Sequence, residues 1–349
     1  MDSFLKISFL LPTNENGGGA RAIMRFGNEL LKRGHKVRIF YRNEIPTLKN
    51  KIRLSILTAI YGENNWLGLF QGISQPYLKL DPLWFSKDEI ILSMCTQTTF
   101  DLVSLPDNIG IKVLHCHGAE IENWEKMLES WRFPISKLVV SSHLIDMFKK
   151  EVNQEVIGIV PDGVDTSEYY PSKDDNERTG LGGSFRYSHT KDPITTINVF
   201  NRLHQELQGV PLYTFSNGKK PDELKKINYS RFPTVEQARD IYSSCKAWFV
   251  ASIREGFSMP VLEAMACGCV VVSTDCGGPS DMIEHSKNGF LVEVGNIGSI
   301  VHKLKLIYNN PDLQKKMSVN AINTAKKFTW ESAVDKLEHY LYQIFNEKS

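Results

Sequence analysis

The chain has 349 residues, enough for about two domains of ordinary size. Hydrophobic residues make up 42% of it and charged residues 23%, which excludes a disordered chain and a collagen-like one. Lys and Arg number 41 and Asp and Glu 40, so the formal charge of +1 does not favour nucleic acid as a partner.

Membrane-spanning and secreted proteins are not expected. No apolar run approaches the roughly 18 residues that a membrane span needs. The apolar run 7–11 is too short for the core of a secretion signal, so a cytoplasmic location is the expectation. Six cysteines occur without a CxxC pair, which indicates buried reduced thiols and no metal site.

The first half of the chain alternates short apolar runs with amphipathic stretches, which predicts a parallel sheet covered by helices on both faces. A first strand at 7–11 leads through a Gly-rich turn to a helix at 20–33, which Gly34 ends. Residues 45–87 are aromatic-rich and have no clean period. Further strands are predicted at 37–41, 90–92, 113–114 and 138–140.

A second alternating unit follows the region 161–165, and the polar stretch 172–178 is the best linker candidate. Three helices end the chain, and the last, at about 330–345, has one apolar stripe. Two doubly wound sheets would leave a cleft, and ligands of such sheets bind beyond the carboxyl ends of the strands. The second unit's strands are predicted at 181–185, 212–215, 247–251, 270–272 and 290–292, and its earlier helices at 194–207, 235–244 and 260–267.

The stretch 252–268 carries the most chemistry. A strand ends before it, a loop with Gly256 follows, and a helix begins near Pro260. The backbone N–H groups of Phe257, Ser258 and Met259 would lie at the helix N-terminus, which favours an anion there.

Two carboxylates belong to the same stretch. Glu263 lies about one turn inside the predicted helix, and its two oxygens suit a vicinal diol such as that of a ribose. The alternative for Glu263 is a solvated helix face. Glu255 lies on the loop, where it could reach a second group.

Two cations follow the first strand of the second unit. Arg186 and Lys191 could pair with a diphosphate and stabilise it as a leaving group without a metal ion. The alternative is two unrelated surface cations on a loop.

Two features of the first unit follow strand ends. Glycines 17–19 let the backbone approach an anion, although the sequence is not a GxGxxG fingerprint and a simple turn is the alternative. His115 and His117 flank Cys116; one of them could donate to a sugar hydroxyl, and the alternatives are a structural pair or a metal site.

The segment 21–53 is strongly basic, with ten Lys and Arg residues against two Glu. It is either a solvated face or a patch for an anionic membrane surface or a phosphorylated acceptor. The second reading predicts peripheral contact with the inner membrane surface.

Several of these segments resemble one known family. The run from Glu255 to Gly268, with its Glu-x7-Glu spacing, closely resembles the retaining GT-B-fold glycosyltransferases of family 4, also called glycosyl transferases group 1. The similarity extends over most of the chain in the same order. The other matching segments are Gly17-Gly18-Gly19-Ala20, His117-Gly118-Ala119-Glu120, Pro161-Asp162-Gly163-Val164-Asp165, Gly277-Gly278 and Asn288-Gly289-Phe290-Leu291-Val292.

The resemblance implies an α/β fold of GT-B type, with two Rossmann-like doubly wound domains facing across a cleft. The acceptor-side domain would span residues 1–165 and be completed by a C-terminal helix, 330–349, that crosses back to it. The nucleotide-sugar domain would span 166–329. The implied activity is transfer of a sugar from a nucleotide-diphosphate sugar to a hydroxyl with retention, by front-face substitution and without metal or cofactor.

The resemblance also implies roles for single residues. The catalytic group would be His117, Glu255, Arg186 and Lys191. Arg186 and Lys191 would hold the donor diphosphate, Glu263 the ribose, and the backbone near Phe232 the base. The implied donor-binding residues are Gly18, Gly19, Arg186, Lys191, Phe232, Glu255, Gly256, Phe257, Ser258, Met259 and Glu263.

The sequence departs from the family pattern in three places. Asp192 and Pro193 follow Lys191 where the family has Gly, Ala251-Ser252 replaces the usual Pro-Ser before the first glutamate, and Gly182-Gly183-Ser184-Phe185 replaces the common Val-Gly-Arg type. The sugar, the base and the acceptor, whether glycan, lipid-linked or protein, are not predicted. The alternative functions are a non-catalytic nucleotide-sugar-binding partner of an active transferase and a sugar-nucleotide epimerase.

Overall fold

The structure is a computed structural model that describes residues 4–13, 17–42, 66–118 and 123–348. The chain divides into two compact units, Met1–Asp162 with Trp330–Ser349, and Gly163–Thr329. The division thus falls between Asp162 and Gly163, whereas the sequence placed it after residue 165.

In the described part of the first unit, seven strands form one sheet in which every pairing is parallel. The strand order is β3-β2-β1-β4-β5-β6-β7, so the chain winds outward from β1 in both directions. The strands are β1 Lys6–Leu11, β2 Lys36–Arg42, β3 Ile73–Tyr77, β4 Glu89–Ser93, β5 Ile111–Cys116, β6 Ser136–Val139 and β7 Gly158–Ile159.

Helices cover this sheet because each buries one apolar face. The long helix Gly18–Lys32 contributes Ile23, Phe26 and Leu30 to the core, all at most 2% exposed. The other helices of the unit, among the described residues, are Thr96–Val103, Trp124–Arg132, Ser142–Met147 and Trp330–Lys348, with short 3-10 turns at Trp66–Leu69 and Pro82–Trp84 and a π turn at Phe148–Val152.

The last helix, Trp330–Lys348, belongs to the first unit although the second unit precedes it in the chain. Val334, Leu337 and Leu341 are fully buried in the same core as the helix Gly18–Lys32. Arg33, which directly follows that earlier helix, pairs with Glu338 at 2.8 Å. The predicted return of the C-terminal helix to the first domain is therefore confirmed.

The second unit has a six-stranded parallel sheet in the order β10-β9-β8-β11-β12-β13. Its first strand thus lies between the second and the fourth, which is the order of a Rossmann dinucleotide-binding sheet. The strands are β8 Gly180–Gly183, β9 Leu212–Ser216, β10 Asn228–Arg231, β11 Cys245–Val250, β12 Val270–Thr274 and β13 Gly289–Val292. The helices are Pro193–Glu206, Val235–Ser243, Met259–Ala266, Ile297–Tyr308 and Pro311–Ala325, with 3-10 turns at Asp175–Glu177, His189–Lys191, Asp222–Leu224 and Gly278–Asp281.

The glycines of β8 are explained by the neighbouring strand. A Cβ on Gly182 would lie 2.2 Å from the Trp248 ring, and one on Gly183 would lie 2.2 Å from the Phe249 ring. The bulky pair on β11 therefore needs glycine opposite it. This accounts for the departure from the family pattern at this strand.

The predicted linker 172–178 is wrong, because this segment is part of the second unit. Ser172 Oγ donates to Asp240, and Lys173 Nζ donates to Ser244 Oγ at 2.8 Å. Arg178 is 1% exposed and donates to the carbonyls of Cys245 and Cys267. Polar residues here serve a buried hydrogen-bond network, which composition alone does not distinguish from a linker.

Within the described ranges, no helix combines the length and the apolar character needed to cross a membrane.

Candidate functional site

The second unit brings the loops that follow β8 and β11 together at the point where its strand order reverses. β8 and β11 are parallel neighbours, so both loops leave the same edge of the sheet. The backbone N–H groups of Ile253 and Arg254 donate to the carbonyl of Thr190, at 2.8 and 3.2 Å. The cationic loop and the acidic loop of the sequence prediction are thus joined by backbone hydrogen bonds.

Glu255 is the centre of this junction. It is 6% exposed; its carboxylate accepts from Ser252 Oγ at 2.7 Å and pairs with Lys191 Nζ at 2.5 Å. Its backbone N–H donates to the carbonyl of Cys276 at 2.8 Å. The buried carboxylate therefore has a fixed orientation and a cation beside it.

Cys276 stays a neutral thiol in these surroundings. Burial, together with the nearby Glu255 carboxylate, raises the pKa of Cys276 to about 12. The side chain is 4% exposed and contributes no charge next to the carboxylate.

Glu263 does not lie on a solvated helix face. It is 6% exposed, on the helix Met259–Ala266, and Tyr242 Oη donates to its carboxylate at 3.2 Å. The solvated-face alternative is wrong for this residue. A buried carboxylate with a hydroxyl on one oxygen keeps acceptor capacity for a further pair of hydroxyl groups.

The loop between the two glutamates turns sharply into the helix. Ser258 has a φ of 83°, in the left-handed region, and Met259 and Pro260 begin the helix. Among the described residues, the buried Ser258 Oγ has no hydrogen-bond partner. Phe257 is 3% exposed and packs on Phe328, with ring centroids 6.0 Å apart. The loop is thus anchored by Phe257 and presents an unsatisfied hydroxyl at the helix start.

The structure places the remaining predicted donor residues at the same edge of the sheet. Arg186 is exposed and follows β8, whereas Lys191 is half-buried on Glu255. Gly256 lies in the loop between the glutamates. Phe232 follows β10 with a φ of 52°, and its N–H donates to the carbonyl of Ser216 at 3.0 Å.

In the first unit, the predicted glycines lie at a helix N-terminus. Gly18 and Gly19 are the first two residues of the helix Gly18–Lys32, and Gly17 is its N-cap. A Cβ on Gly19 would lie 3.0 Å from Met94 Cε, so a larger residue would crowd this turn. Residues 14–16 of the glycine loop and residues 119–120 of the His-Gly segment lie outside the described ranges.

His117 follows β5, and both its ring nitrogens face other groups of the first unit. Its Nε2 lies 3.2 Å from His115 Nδ1, and its Nδ1 lies 3.5 Å from Asp162 Oδ1. Burial lowers the pKa of His117 to about 4. His115 in turn contacts the Val160 carbonyl through Nε2 at 3.0 Å, so it is not a second free donor.

Much of the basic segment 21–53 is engaged within the first unit. Arg33 pairs with Asp335 at 2.7 Å, Arg38 with Glu89 at 2.6 Å and Arg42 with Asp101 at 3.5 Å. The part of the segment from residue 43 onward lies outside the described ranges. The described part is therefore not a uniformly solvated basic face.

Several residues of the site were not predicted from the sequence. Tyr242 and Cys276 contact the two glutamates but lie outside the predicted motifs, whereas Ser252 lies in the stretch 252–268 without a predicted role. Asp162 stands in the quoted Pro-Asp-Gly segment, yet it was given no role. Among the described residues, no group of three or more His, Cys, Asp or Glu is arranged to hold a metal ion.

Most of the second unit matches a known protein family. Residues 186–324 match the family model described as glycosyl transferases group 1. An uncharacterized glycosyltransferase of Haemophilus influenzae is 38% identical over 131 residues, which are 35% of this chain and 37% of that protein. The match thus spans just over a third of the length of this relative.

Two further likenesses extend over the whole chain. An α-1,4-N-acetyl-D-galactosaminyltransferase of Campylobacter jejuni, whose name includes a glycan on PP-undecaprenol, is 22% identical over 93% of this chain and 94% of its own length. The solved structure of HepE from Anabaena with UDP-glucose aligns with a TM-score of 0.74 at 15% identity, over 97% of this chain and 100% of that one. These likenesses confirm the predicted fold class, an α/β protein with two Rossmann-like units of GT-B type.

Proposed function

We propose that this protein is a glycosyltransferase that moves a sugar from a nucleotide-diphosphate sugar to an acceptor hydroxyl and retains the anomeric configuration. The observation that carries the proposal is the pair Glu255 and Glu263, both 6% exposed, at the strand-order reversal of the second unit. Burying two carboxylates eight positions apart is costly for folding alone and is typical of a binding site. The match of residues 186–324 to the group 1 family model supports the same reading.

The donor would be held by groups of the second unit. Arg186 and Lys191 would bind the diphosphate, and Glu263 would accept hydrogen bonds from the two ribose hydroxyls. The unsatisfied Ser258 Oγ and the helix N-terminus beside it would face an anionic or hydroxyl group of the donor. Glu255 would contact the sugar, with Lys191 shared between its carboxylate and the phosphate.

The reaction would proceed on one face of the sugar. The bond from the anomeric carbon to the diphosphate oxygen breaks as the acceptor oxygen bonds to the same carbon. The departing phosphate oxygen takes the acceptor proton, so no protein base is required. The two cations balance the charge that develops on the leaving diphosphate in place of a metal ion.

The acceptor is proposed only as a class. The Campylobacter jejuni relative is named for a glycan on PP-undecaprenol, and a glycan, lipid-linked or protein hydroxyl would suit the proposed chemistry here. Synthesis of a cell-surface polysaccharide or glycoconjugate is the corresponding role. Peripheral membrane contact through residues 21–53 stays a prediction. Arg33, Arg38 and Arg42 pair with acidic residues of the first unit, so these three basic groups are less available for such contact.

The first test is a thermal-shift panel with UDP, GDP, ADP, dTDP and CMP on wild type and on Glu263→Gln. A ligand at 100 times its Kd adds about 2.7 kcal/mol of stability, which a melting curve resolves. The Gln side chain keeps one oxygen that can accept a hydrogen bond from Tyr242 Oη. It lacks the second carboxylate oxygen, so it accepts hydrogen bonds from two ribose hydroxyls less well. We expect one nucleotide to stabilise wild type, and Glu263→Gln to lose about 1–3 kcal/mol of that binding.

The control is Glu293→Gln, which removes an exposed carboxylate from the same unit. Equal shifts in wild type and Glu263→Gln would remove Glu263 from the donor site. The sugars of the stabilising nucleotide are then tested for transfer, with product stereochemistry determined by NMR. Conversion of donor without acceptor would indicate an epimerase, and binding without any turnover would indicate the non-catalytic partner.

A further inference from the structure

Four groups of the first unit form one string of short polar contacts. The Val160 carbonyl contacts His115 Nε2 at 3.0 Å, and His115 Nδ1 contacts His117 Nε2 at 3.2 Å. His117 Nδ1 then lies 3.5 Å from Asp162 Oδ1. His115 is 2% exposed and Asp162 is 6% exposed, so bulk water has little access to these polar side chains.

The direction of hydrogen bonding along the string is fixed at one end. A backbone carbonyl only accepts, so His115 carries its proton on Nε2 and accepts on Nδ1. His117 must then carry its proton on Nε2, which leaves a lone pair on Nδ1. That lone pair faces the Asp162 carboxylate, and two acceptors repel each other.

Counting protons gives the same result for any tautomer. The string contains three contacts, and each needs one proton to become a hydrogen bond. Two neutral imidazole rings supply two protons. One contact is therefore unsatisfied unless the string binds a third proton, and within the string Asp162 Oδ1 is a buried atom for which the described structure shows no hydrogen bond.

We propose that Asp162 is a positioning residue for His117, which it orients by sharing a third proton, taken from solvent, between its Oδ1 and His117 Nδ1. Uptake of that proton converts the repulsive contact into a hydrogen bond and fixes the ring. Its loss restores the repulsion and frees the ring to turn. The positioning role rests on the proposed function, which places His117 at the donor sugar; the shared proton does not.

The surroundings favour the proton on the carboxyl group. Burial raises the pKa of Asp162 to about 6, against the influence of His115 and of Arg21 from the helix Gly18–Lys32. Burial, with the neighbouring His117 ring, lowers the pKa of His115 to about 3. His115 and Arg21 are thus the charged groups that shift the pKa of Asp162, and His117 and Asp162 are those that shift the pKa of His115. The third proton is therefore held below about pH 6 and released above it.

The test is a long-range ¹H–¹⁵N spectrum of the full chain with ¹⁵N-labelled histidine, recorded from pH 5 to 7.5. His117→Gln assigns the His117 signals. In wild type we expect the Nδ1 signal of His117 to move with a midpoint near pH 6. In Asp162→Asn the amide N–H₂ donates to Nδ1 without an extra proton, so the ring should keep the Nε2–H tautomer and show no such transition.

Two further variants keep the result interpretable. Asp107→Asn removes a fully exposed carboxyl group of the same unit and should leave the transition intact. In Asp162→Ala the side chain has no group that binds a proton or donates a hydrogen bond to His117 Nδ1. The His117 signals should therefore lose the pH transition and broaden. A wild-type Nδ1 signal that does not move, or one that moves identically in Asp162→Asn, would overturn the shared proton.

The donor-dependent transfer rate tests the positioning role separately. We expect kcat/KM for the donor to change near pH 6 in wild type, to lose that change in Asp162→Asn, and to fall across the range in Asp162→Ala. Identical pH profiles in wild type and Asp162→Asn would overturn the positioning role. If no sugar transfer is found but the His117 Nδ1 signal shows the expected pH dependence, the proposed function is contradicted and the shared proton is supported.

Discussion

At the scale of single residues, the contact between Lys191 and Glu255 determines how the candidate donor site would work. The ion pair neutralises a carboxylate that would otherwise repel an anionic ligand. Ser252 Oγ holds the other carboxylate oxygen, so Glu255 cannot turn away. In the proposed donor site, Lys191 would therefore meet a diphosphate as a cation that is already positioned.

Glu255→Gln should separate binding from transfer. It removes one negative charge near the proposed diphosphate site, worth about 1 kcal/mol in water-like surroundings. The nucleotide found by the thermal-shift panel should therefore bind roughly fivefold more tightly, as measured by calorimetry. Transfer should fall by about 100-fold or more, because the group at the sugar is lost.

Glu284→Gln is the matched control, since this exposed carboxylate pairs with Lys287 on the surface of the same unit. It should change neither quantity. Weaker nucleotide binding with unchanged transfer in Glu255→Gln would contradict the assignment of Glu255 to the sugar.

At the scale of elements, the loop that carries Glu255 depends on a close backbone contact. The N–H of Gly278 donates to the carbonyl of Glu255 at 3.1 Å. A Cβ on Gly278 would lie 2.4 Å from both the carbonyl oxygen of Gly256 and the Cα of Phe257. Backbone atoms cannot move aside as a flexible side chain can, so the 3-10 turn Gly278–Asp281 needs glycine at its start.

Gly278→Ala should therefore displace the loop between the two glutamates. We expect a loss of about 1–3 kcal/mol in the free energy of unfolding, measured with denaturant, together with weaker nucleotide binding. Gly298→Ala is the control, because its nearest neighbour would be Asn296 Oδ1 at an ordinary 3.6 Å. Equal stability of the two variants would contradict the close-packed loop.

At the scale of the whole molecule, the described residues of each unit form hydrophobic clusters of their own, and the last helix of the chain joins one of the clusters of the first unit. The helix Trp330–Lys348 supplies Val334, Leu337 and Leu341 to the core of the first unit. The core of the second unit is formed by buried side chains between Leu181 and Met317, and this helix contributes none of them. The stability of the first unit therefore depends on residues that come after the whole second unit.

Leu337→Ala should destabilise the first unit selectively. Removing a fully buried Leu costs about 2–5 kcal/mol, and hydrogen exchange should show lost protection in peptides of the first unit but not in those of the second. Lys336→Ala, at an exposed neighbouring position, should leave both units unchanged. Equal loss of protection in both units would contradict two separate cores.

The sequence by itself determined the order of the interior elements. In Lys6–Leu11 every residue after Lys6 is buried, as is every residue of Val270–Thr274, and the helix at the second glutamate lies between a loop glycine and a closing glycine. Such patterns depend only on spacing along the chain, so they are readable without coordinates. The loop and helix of Glu255 and Glu263 were predicted for the same reason.

Only the tertiary structure decided the edges of the sheets and the partners of the polar residues. The three unpredicted strands, Ile73–Tyr77, Gly158–Ile159 and Asn228–Arg231, are all edge strands with little or no buried apolar run. Arg178 and Asp162 look like loop residues in the sequence but are buried among distant groups. Burial and hydrogen bonding depend on which parts of the chain meet in space, and no local spacing encodes that meeting.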